Sequence, residues 1–309
     1  MKRRFPADAL YAGLVGSAAA CVLAAAGLIF VVTLQGSIPA LREFGSRFLL
    51  GTDWDPVAER FGALPYIYGT MVTSGIALLL ALPVGLGSAV FLSEIAEHRV
   101  GAAISFVMEL LAAIPSIVYG IWGFFILAPL LREGLEPWLI AHLGFLPLFQ
   151  GFPFGIGILN AGIVLAIMIV PTIISISREV LLATPSSLRE AALALGATKA
   201  EAIGVAVDAA RPGILGATIL ALGRALGETM AVTMVIGNTN QITGSLLAPG
   251  ATMASVIANE FTEATGKLYL SALIEVALVL FLITFVVNAL ARALVYWATG
   301  ARREAAAAA

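Results

Sequence analysis

Two residues of opposite charge, Arg224 and Glu228, stand four positions apart in an apolar stretch at about residues 213–236. In a helix this spacing places both side chains on one face, where they can pair. Arg224 lies eleven residues beyond Gly213, or about 16 Å along a helix. An arginine at the centre of a bilayer costs roughly 2.5–3.5 kcal/mol by insertion scales. Two interpretations follow: the pair holds two helices together, or the planar guanidinium binds an anion and Glu228 is its resting partner.

Other polar residues in apolar stretches give weaker signals. Thr229 and Thr233 can add hydroxyl donors beside Arg224, although a hydroxyl on a helix bonds equally well to the backbone of its own helix. Glu109 and Glu275 either reach the membrane interface, pair with a neighbouring helix or take part directly in function.

Enzymatic chemistry has no visible basis in the sequence. His98 and His142 are far apart and have no ligand cluster around them, so we predict no metal site. Cys21, the single cysteine, lies in an apolar run and has no partner for an intrachain disulfide. The sequence has no G-x-x-x-x-G-K-[ST] phosphate loop, no H-E-x-x-H zinc motif and no histidine-based triad. We therefore predict a chain without catalytic residues or a cofactor of its own.

The segment at about residues 177–212 is less apolar than its neighbours and predicts two short helices outside the bilayer. Ser186 or Ser187 can cap the first helix, Gly196 can end it, and Thr198 can cap a second that runs towards Val207. One face of the first helix is small and apolar, with i, i+3, i+4 and i+7 spacing, and consists of Leu188, Ala191, Ala192 and Leu195. Such a face either packs against the chain's own helices or docks into a groove of a partner, and periodicity alone does not choose between them.

The composition shows what must surround these residues. Hydrophobic residues make up 60% of the 309 and charged residues 12%, and the mean hydropathy is +1.01. A soluble domain carries about 25% charged residues, so lipid must cover part of this chain. The net charge of -2 provides no basic surface for nucleic acid.

Six stretches are long and apolar enough to cross a bilayer, which takes about 20 residues of helix. They cover about residues 10–34, 67–93, 102–131, 155–176, 213–236 and 271–297. The first is too long for a signal peptide and is followed by no clear cleavage-like region, so we interpret it as a retained anchor. The fold class predicted from this pattern is an all-α membrane protein with six transmembrane helices.

Prolines interrupt three of these stretches, at Pro83, Pro115, Pro129 and Pro171. Each removes a backbone donor, and in lipid the freed carbonyl needs another partner. The prolines therefore mark either broken helices around a protein-lined or wet interior, or the ordinary kinks that are common in membrane helices.

The placement of lysine and arginine predicts that both termini lie in the cytoplasm. With the N-terminus inside, eleven basic residues face the cytoplasm and five face outwards, while Arg224 remains within a span. The cytoplasmic set is Lys2, Arg3, Arg4, Arg99, Arg178, Arg189, Lys199, Arg211, Arg292, Arg302 and Arg303. The outer set is Arg42, Arg47, Arg60, Arg132 and Lys267.

The tripeptide Glu190-Ala191-Ala192, followed by Gly196 after three intervening residues, resembles the EAA loop of ABC importer permeases. In that family the loop forms a coupling helix that sits in a cleft of a separate ATPase subunit, and the resemblance implies this role for these four residues. The family pattern continues nine residues later towards an Ile-x-Leu-Pro element, whereas this chain has Ala206-Val207-Asp208-Ala209 and a proline only at Pro212. The departure concerns the exit from the loop and leaves the docking face intact.

A second resemblance concerns the cargo. Residues 223–232, which read GRALGETMAV, are similar to a segment typical of phosphate permeases. The first outer loop resembles that of the PstC-type subunits of phosphate importers at residues 51–56, 61–65 and 68–70, as do residues 111–116 and 118–120. The matches run from about residue 48 to 236 and so cover most of the fold.

This resemblance implies a permease subunit of an ATP-driven importer that moves inorganic phosphate across a bacterial cytoplasmic (inner) membrane. It implies a five-helix core plus an extra N-terminal helix. The anchor helix and first outer loop are then residues 1–66, the core with coupling loop 177–212 is 67–297, and a short tail is 298–309. Arg224, Glu228, Thr229 and Thr233 would line the substrate path.

The resemblance also implies partners. They are a second permease subunit of the PstA type, two copies of a cytoplasmic ATPase that binds the ATP, and an extracytoplasmic phosphate-binding protein, besides membrane lipid. Three alternatives stay open: a permease for another oxyanion such as molybdate, sulfate or phosphonate, an ion-coupled secondary transporter or channel, and a membrane enzyme. An ion-coupled transporter would need two internal repeats, which we do not find in this sequence.

Overall fold

The computed structural model describes the backbone of residues 6–307 and the side chains of residues 10–97, 99–293 and 295–296. In this part of the chain six helical segments are long and apolar enough to cross a membrane, as predicted. They cover Leu10–Phe44, Leu64–Ile95, Ser116–Leu143, Ile158–Ala183, Lys199–Leu226 and Lys267–Ala293. The predicted cytoplasmic residues Lys2, Arg3 and Arg4, and the side chains of the predicted tail, lie outside the described residues.

The first helix, α1 (Pro6–Phe44), packs along the last, α13 (Lys267–Ala307). The two come close at Gly36, where an added Cβ would lie 2.9 Å from the side chain of Ile274. Most other side chains of α1 are exposed, as expected for a peripheral helix that faces lipid.

The predicted first outer loop forms a small ordered unit after α1. It consists of α2 (Arg47–Leu50) and an antiparallel pair of strands, β1 (Trp54–Asp55) and β2 (Arg60–Phe61). Its aromatic rings pack edge to face or stacked on one another and on rings at the ends of the neighbouring helices. The rings are those of Phe44, Phe48, Trp54, Phe61, Tyr66 and Tyr269. We call this side of the bundle the hairpin end.

The centre of the bundle is the contact between α3 (Leu64–Val90) and α8 (Ile158–Ala183). Small residues permit the close approach: a Cβ at Gly85 would lie 2.7 Å from the side chain of Ile173. Both helices continue through their prolines, Pro83 and Pro171, so these two residues do not break a span. A π-helical turn, Phe91–Ile95, extends α3 at its far end.

The third predicted span, residues 102–131, is wrong in its boundaries. The region consists of α4 (His98–Ala112), α5 (Ser116–Trp122), a π-helical turn (Gly123–Leu127), α6 (Ala128–Leu130), a second π-helical turn (Leu131–Leu135) and α7 (Glu136–Leu143). The break before α5 falls at Pro115, because a proline lacks the N–H and disfavours the helical conformation of the residue before it. A 3₁₀ turn, Pro147–Phe149, follows before α8.

The segment after α8 contains one short helix, α9 (Ser186–Ala194). Gly196 ends it in the left-handed region, with φ of +89°, as its predicted role requires. The predicted serine cap is wrong: Pro185 is the N-cap residue and no side chain caps α9. We call the side of the bundle that carries α9 the α9 end.

The next helix, α10 (Lys199–Leu226), begins with the predicted cap, since Thr198 and Glu201 form a capping box. The prediction that it is a short helix separate from the fifth span is wrong, because α10 is continuous through Pro212. The helix continues because one buried face runs from the predicted loop into the bundle at four-residue spacing. The residues of this face are Ala202, Ala206, Ala210 and Ile214.

The fifth span therefore ends at Leu226 and not near residue 236. A three-residue break separates it from α11 (Met230–Val235), and a loop at the hairpin end leads to α12 (Met253–Glu260) and then to α13. Thr252 and Ser255 form a capping box at the start of α12.

Candidate anion site and partner-docking surface

Arg224 lies near the C-terminal end of α10, opposite the middle of α8. Its Nη1 atom is 3.5 Å from Oγ1 of Thr172, which lies near the middle of the 26-residue helix α8. A helix of that length extends about 39 Å, so the contact places the guanidinium about half-way across the bundle.

The prediction that Arg224 and Glu228 share one helix face is wrong. Glu228 lies in the break between α10 and α11, where its Oε1 accepts a hydrogen bond from the backbone N–H of Ala231 at 3.3 Å. Among the side chains that the structure describes, Arg224 forms no ion pair with any carboxylate within 4.0 Å. Within the part of the chain that the structure describes, no carboxylate therefore neutralises the charge of the guanidinium.

Local side-chain bonds explain the break. Gly227 is a weak helix former, and Oγ1 of Thr229 donates to the carbonyl of Gly227 at 3.3 Å. Bonds of this kind, together with the Glu228 bond to Ala231, compete with helix continuation. Oγ1 of Thr233 donates to the carbonyl of Thr229 at 2.8 Å, so both threonine hydroxyls bond to their own backbone.

A cleft of about 1330 Å³ opens between α10 and α13, and Arg224 forms part of its wall. On α13 three polar residues, Thr284, Asn288 and Arg292, line it at four-residue spacing and so lie on one helix face. A Cβ at Gly223 would lie 3.6 Å from the Asn288 amide. Sequence reasoning assigned none of these three residues to a site and counted Arg292 only among the cytoplasmic charges, although their regular spacing in the last apolar stretch was visible.

The remaining cleft wall is mostly apolar. It includes Ile219, Leu220, Ala277, Leu280, Phe281 and Phe285. An anion in this cleft would therefore find polar contacts in a few places only. One is the guanidinium of Arg224, half-way across the bundle, and another is the guanidinium of Arg292, further along α13.

The helix break at Pro115 brings another segment of the third predicted span towards this region. Gly120 of α5 lies against α11, where an added Cβ would be 3.0 Å from Cα of Ala231 and 3.1 Å from Sδ of Met234. The hydroxyl of Tyr119 donates to the carbonyl of Leu111 at 2.8 Å and so bridges the break between α4 and α5. The break between α4 and α5 thus lies close to the break between α10 and α11, near Arg224 in the interior of the bundle.

The predicted coupling residues lie on an unpacked surface. No residue of α9 is buried, and Glu190 and Ala191 are exposed while Ala192 is half-buried. Leu195, the last residue of the predicted apolar face, is 91% exposed. The chain's own helices therefore leave the apolar face of α9 largely uncovered, which favours docking to a partner over packing within the bundle.

The other acidic residues in the spans differ in their surroundings. Glu109 lies on the exposed side of α4. Glu275 is buried in α13, and its Oε2 has no hydrogen-bond partner among the described residues. Neither residue lines the cleft that contains Arg224.

At the hairpin end one carboxylate connects three elements. Oε2 of Glu260, in α12, accepts hydrogen bonds from Nε1 of Trp54 at 2.6 Å and from the hydroxyl of Tyr269 at 2.7 Å. The bonds join the strand β1 to α12 and α13, so the strand pair at the hairpin end is attached to the bundle by charge-assisted hydrogen bonds. In the described part of the chain no three His, Cys, Asp or Glu side chains are grouped as metal ligands.

Comparison with known proteins identifies the family. Residues 81–298 match the family described as "Binding-protein-dependent transport system inner membrane component". The chain belongs to this family. Inner membrane components of this kind are multi-pass proteins, in agreement with the six membrane-length helices.

Individual relatives of this inner membrane component cover nearly the whole chain. A protein named phosphate transport system permease protein PstC from Mesorhizobium japonicum is 48% identical over 94% of this chain and 90% of its own length. The protein of the same name from Haemophilus influenzae is 49% identical over 89% of this chain and 88% of its own. An archaeal protein from Methanocaldococcus jannaschii, named as a probable permease of the same type, is 40% identical over 84% of this chain and 86% of its own.

The fold also resembles a solved structure. A chain of the MetNI methionine ABC transporter in inward-facing conformations is similar with a TM-score of 0.50, covering 74% of this chain and 94% of that one. The identity is only 19%, so this likeness supports the fold of an ABC importer permease and carries nothing about cargo.

Proposed function

We propose that this inner membrane component moves inorganic phosphate into the cytoplasm as one permease subunit of an ATP-driven importer. The relatives that cover most of the chain at 47–49% identity are named as phosphate permeases. The observation that carries the proposal is the charge of Arg224, which lies half-way across the bundle in a cleft and has no carboxylate partner within 4.0 Å among the described side chains.

The chemistry of Arg224 suits the proposed cargo. Phosphate carries roughly one to two negative charges near neutral pH, and a guanidinium offers it a planar pair of donors. Thr172 lies beside the guanidinium and supplies a hydroxyl. Glu228 takes no part as a resting ion partner in this arrangement, since its carboxylate caps the start of α11.

The proposed assembly contains three further kinds of subunit. A second permease of the PstA type would complete the path, and an extracytoplasmic phosphate-binding protein would deliver the anion at the hairpin end. Two ATPase subunits would bind the ATP and would each receive one coupling helix, α9 in this chain. The α9 end would then lie in the cytoplasm, as the distribution of lysine and arginine favours.

Reconstitution tests the cargo and the energy source together. The chain is purified with its second permease and ATPase, placed in vesicles with the binding protein, and assayed for uptake of radiolabelled phosphate. We expect uptake that requires ATP and survives an excess of sulfate or molybdate. Uptake of phosphate by this chain without any ATPase would exclude the importer mechanism, and preferential uptake of another oxyanion would favour a permease for that anion.

Coupling through α9 is tested by Ala192→Trp. If the small face of α9 docks into an ATPase groove, the bulky side chain overpacks the contact and weakens it by about 1–3 kcal/mol. We expect loss of ATPase co-purification and of phosphate-stimulated hydrolysis, while the permease still inserts, because no residue of α9 is buried in the bundle. Ala12→Trp, on the exposed side of α1, is the control. Unchanged coupling in Ala192→Trp would reject this role of α9.

A further inference from the structure

Arg189, the residue before the Glu190-Ala191-Ala192 tripeptide, connects α9 to two membrane-spanning helices. Its Nε donates to Oε2 of Glu94 at 2.9 Å, and its Nη2 donates to Oε1 of the same carboxylate at 2.5 Å. Its Nη1 also donates to the carbonyl of Thr184, and its Nη2 to that of Leu181, both at 3.0 Å. One guanidinium thus forms a two-bond contact with a carboxylate and caps the last turn of α8.

This contact differs from a surface ion pair. The side chain of Glu94 is 7% exposed and that of Arg189 is 21% exposed, whereas those of Arg132 and Glu133 are 54% and 74% exposed. Exposed pairs contribute little because water screens them and their side chains are mobile. The planar fork of an arginine on a carboxylate is both stronger and geometrically specific. Arg189 therefore has a defined position, although α9 itself is uncovered.

The three elements that meet at Arg189 have different attachments to the bundle. Glu94 lies in the π-helical turn that extends α3, and α3 packs tightly along α8. By contrast, α9 is joined to α8 through only Thr184 and Pro185, and its other end is Gly196 in the left-handed conformation. The covalent links at both ends of α9 are short turns and α9 also lies against α10, while the fork of Arg189 ties α9 to the ends of α3 and α8.

We propose that the Arg189–Glu94 pair is the contact through which a displacement of α9 moves the inner ends of α3 and α8 as one body. The proposal deepens the function proposed above and rests on docking of α9 to an ATPase. Arg189 is in this view a positioning residue: it transmits force and touches neither ATP nor phosphate. A permease without the pair still binds its ATPase through the apolar face of α9, but α9 turns on its two hinges without moving the bundle.

Substitutions in the purified complex test the pair. We expect Glu94→Gln and Arg189→Gln each to lower phosphate uptake per ATP hydrolysed at least fivefold, with normal amounts of permease and co-purified ATPase. Arg189→Lys keeps the charge but loses the fork, and we expect an intermediate ratio. The double variant should be no worse than either single one, because the two side chains act as one unit. Glu133→Gln, which removes the exposed pair, is the matched control and should leave the ratio unchanged.

The ratio of uptake to hydrolysis separates positioning from mere stabilisation. If the pair only stabilises the fold, the amount of permease falls and the surviving complexes keep the wild-type ratio, which would overturn the proposal. Ala192→Trp distinguishes failure of this proposal from failure of the proposed function. If Ala192→Trp uncouples transport and Arg189→Gln does not, only the proposed role of the Arg189–Glu94 pair is rejected. If neither variant has an effect, the proposed docking of α9 to an ATPase is rejected as well.

A covalent replacement of the pair tests whether it acts as a rigid link. Cys21 is the single cysteine of this chain and is exposed, so Cys21→Ala gives a permease chain free of thiols. In this background Glu94→Cys with Arg189→Cys is joined by a short, reducible linker that spans both thiols. We expect low uptake per ATP before linking, recovery after linking, and loss again on reduction. Linking that leaves the ratio unchanged or lowers it further would overturn the proposal.

Discussion

Replacing Arg224 should reduce phosphate uptake more than any other single change in the cleft. An arginine and a unit anion about 4 Å apart attract each other by about 4 kcal/mol at an effective dielectric constant of 20. If about 2.7 kcal/mol of this attraction lowers the activation free energy of the rate-limiting step, its loss slows transport about a hundredfold. We therefore expect Arg224→Ala to lower uptake about a hundredfold or more at normal membrane levels.

Two further variants show which property of Arg224 matters. Arg224→Lys retains the charge but loses the planar fork, and we expect a loss of about tenfold, or about 1.4 kcal/mol. Arg224→Ala combined with Glu228→Ala should transport no better than Arg224→Ala, because Glu228 bonds to the backbone N–H of Ala231 and forms no pair with Arg224. Arg132→Ala, which removes an exposed arginine elsewhere, is the control.

The assay is initial uptake of radiolabelled phosphate in vesicles that contain the complete importer, normalised to the amount of permease. Full uptake by the double variant would show that the two charges are only a structural pair, since a buried pair is often dispensable once both members are removed. Full uptake by Arg224→Ala would refute the reasoning altogether, because the anion would then need no charge in the cleft.

Two predictions concern the fold at the hairpin end. Gly69→Ala should lower the thermal unfolding temperature and the membrane yield, since its Cβ would lie 2.0 Å from the carbonyl oxygen of Ala251 and overpacking costs about 1–3 kcal/mol. Gly75→Ala on the same helix meets nothing within 4 Å and should have no such effect, so equal behaviour of the two variants would contradict the packing. Trp54→Phe removes the 2.6 Å bond to Glu260 and should destabilise the detergent-solubilised protein by about 1.5–3 kcal/mol, measured by its thermal unfolding. An unchanged unfolding temperature would show that this bond contributes nothing.

The sequence by itself determined the membrane environment, the number of membrane-length helices and the family resemblance. These depend on properties that are local in the chain: the length of apolar runs, the positions of charges and short motifs. The left-handed turn at Gly196 and the cap at Thr198 were predictable for the same reason, because both follow from the chemistry of a few neighbouring residues.

Only the tertiary structure decided where the polar residues meet. The i, i+4 rule joined Arg224 to Glu228, but the bonds of Glu228 and Thr229 to nearby backbone atoms end the helix between them. Arg224 instead lies beside Thr172, far away in sequence, and lines a cleft with Asn288. Likewise, the sequence identified Arg189 only as one of the basic residues that predict the orientation in the membrane. Its role depends on Glu94 at the end of another helix, because contacts between distant helices follow from packing geometry, which no local pattern encodes.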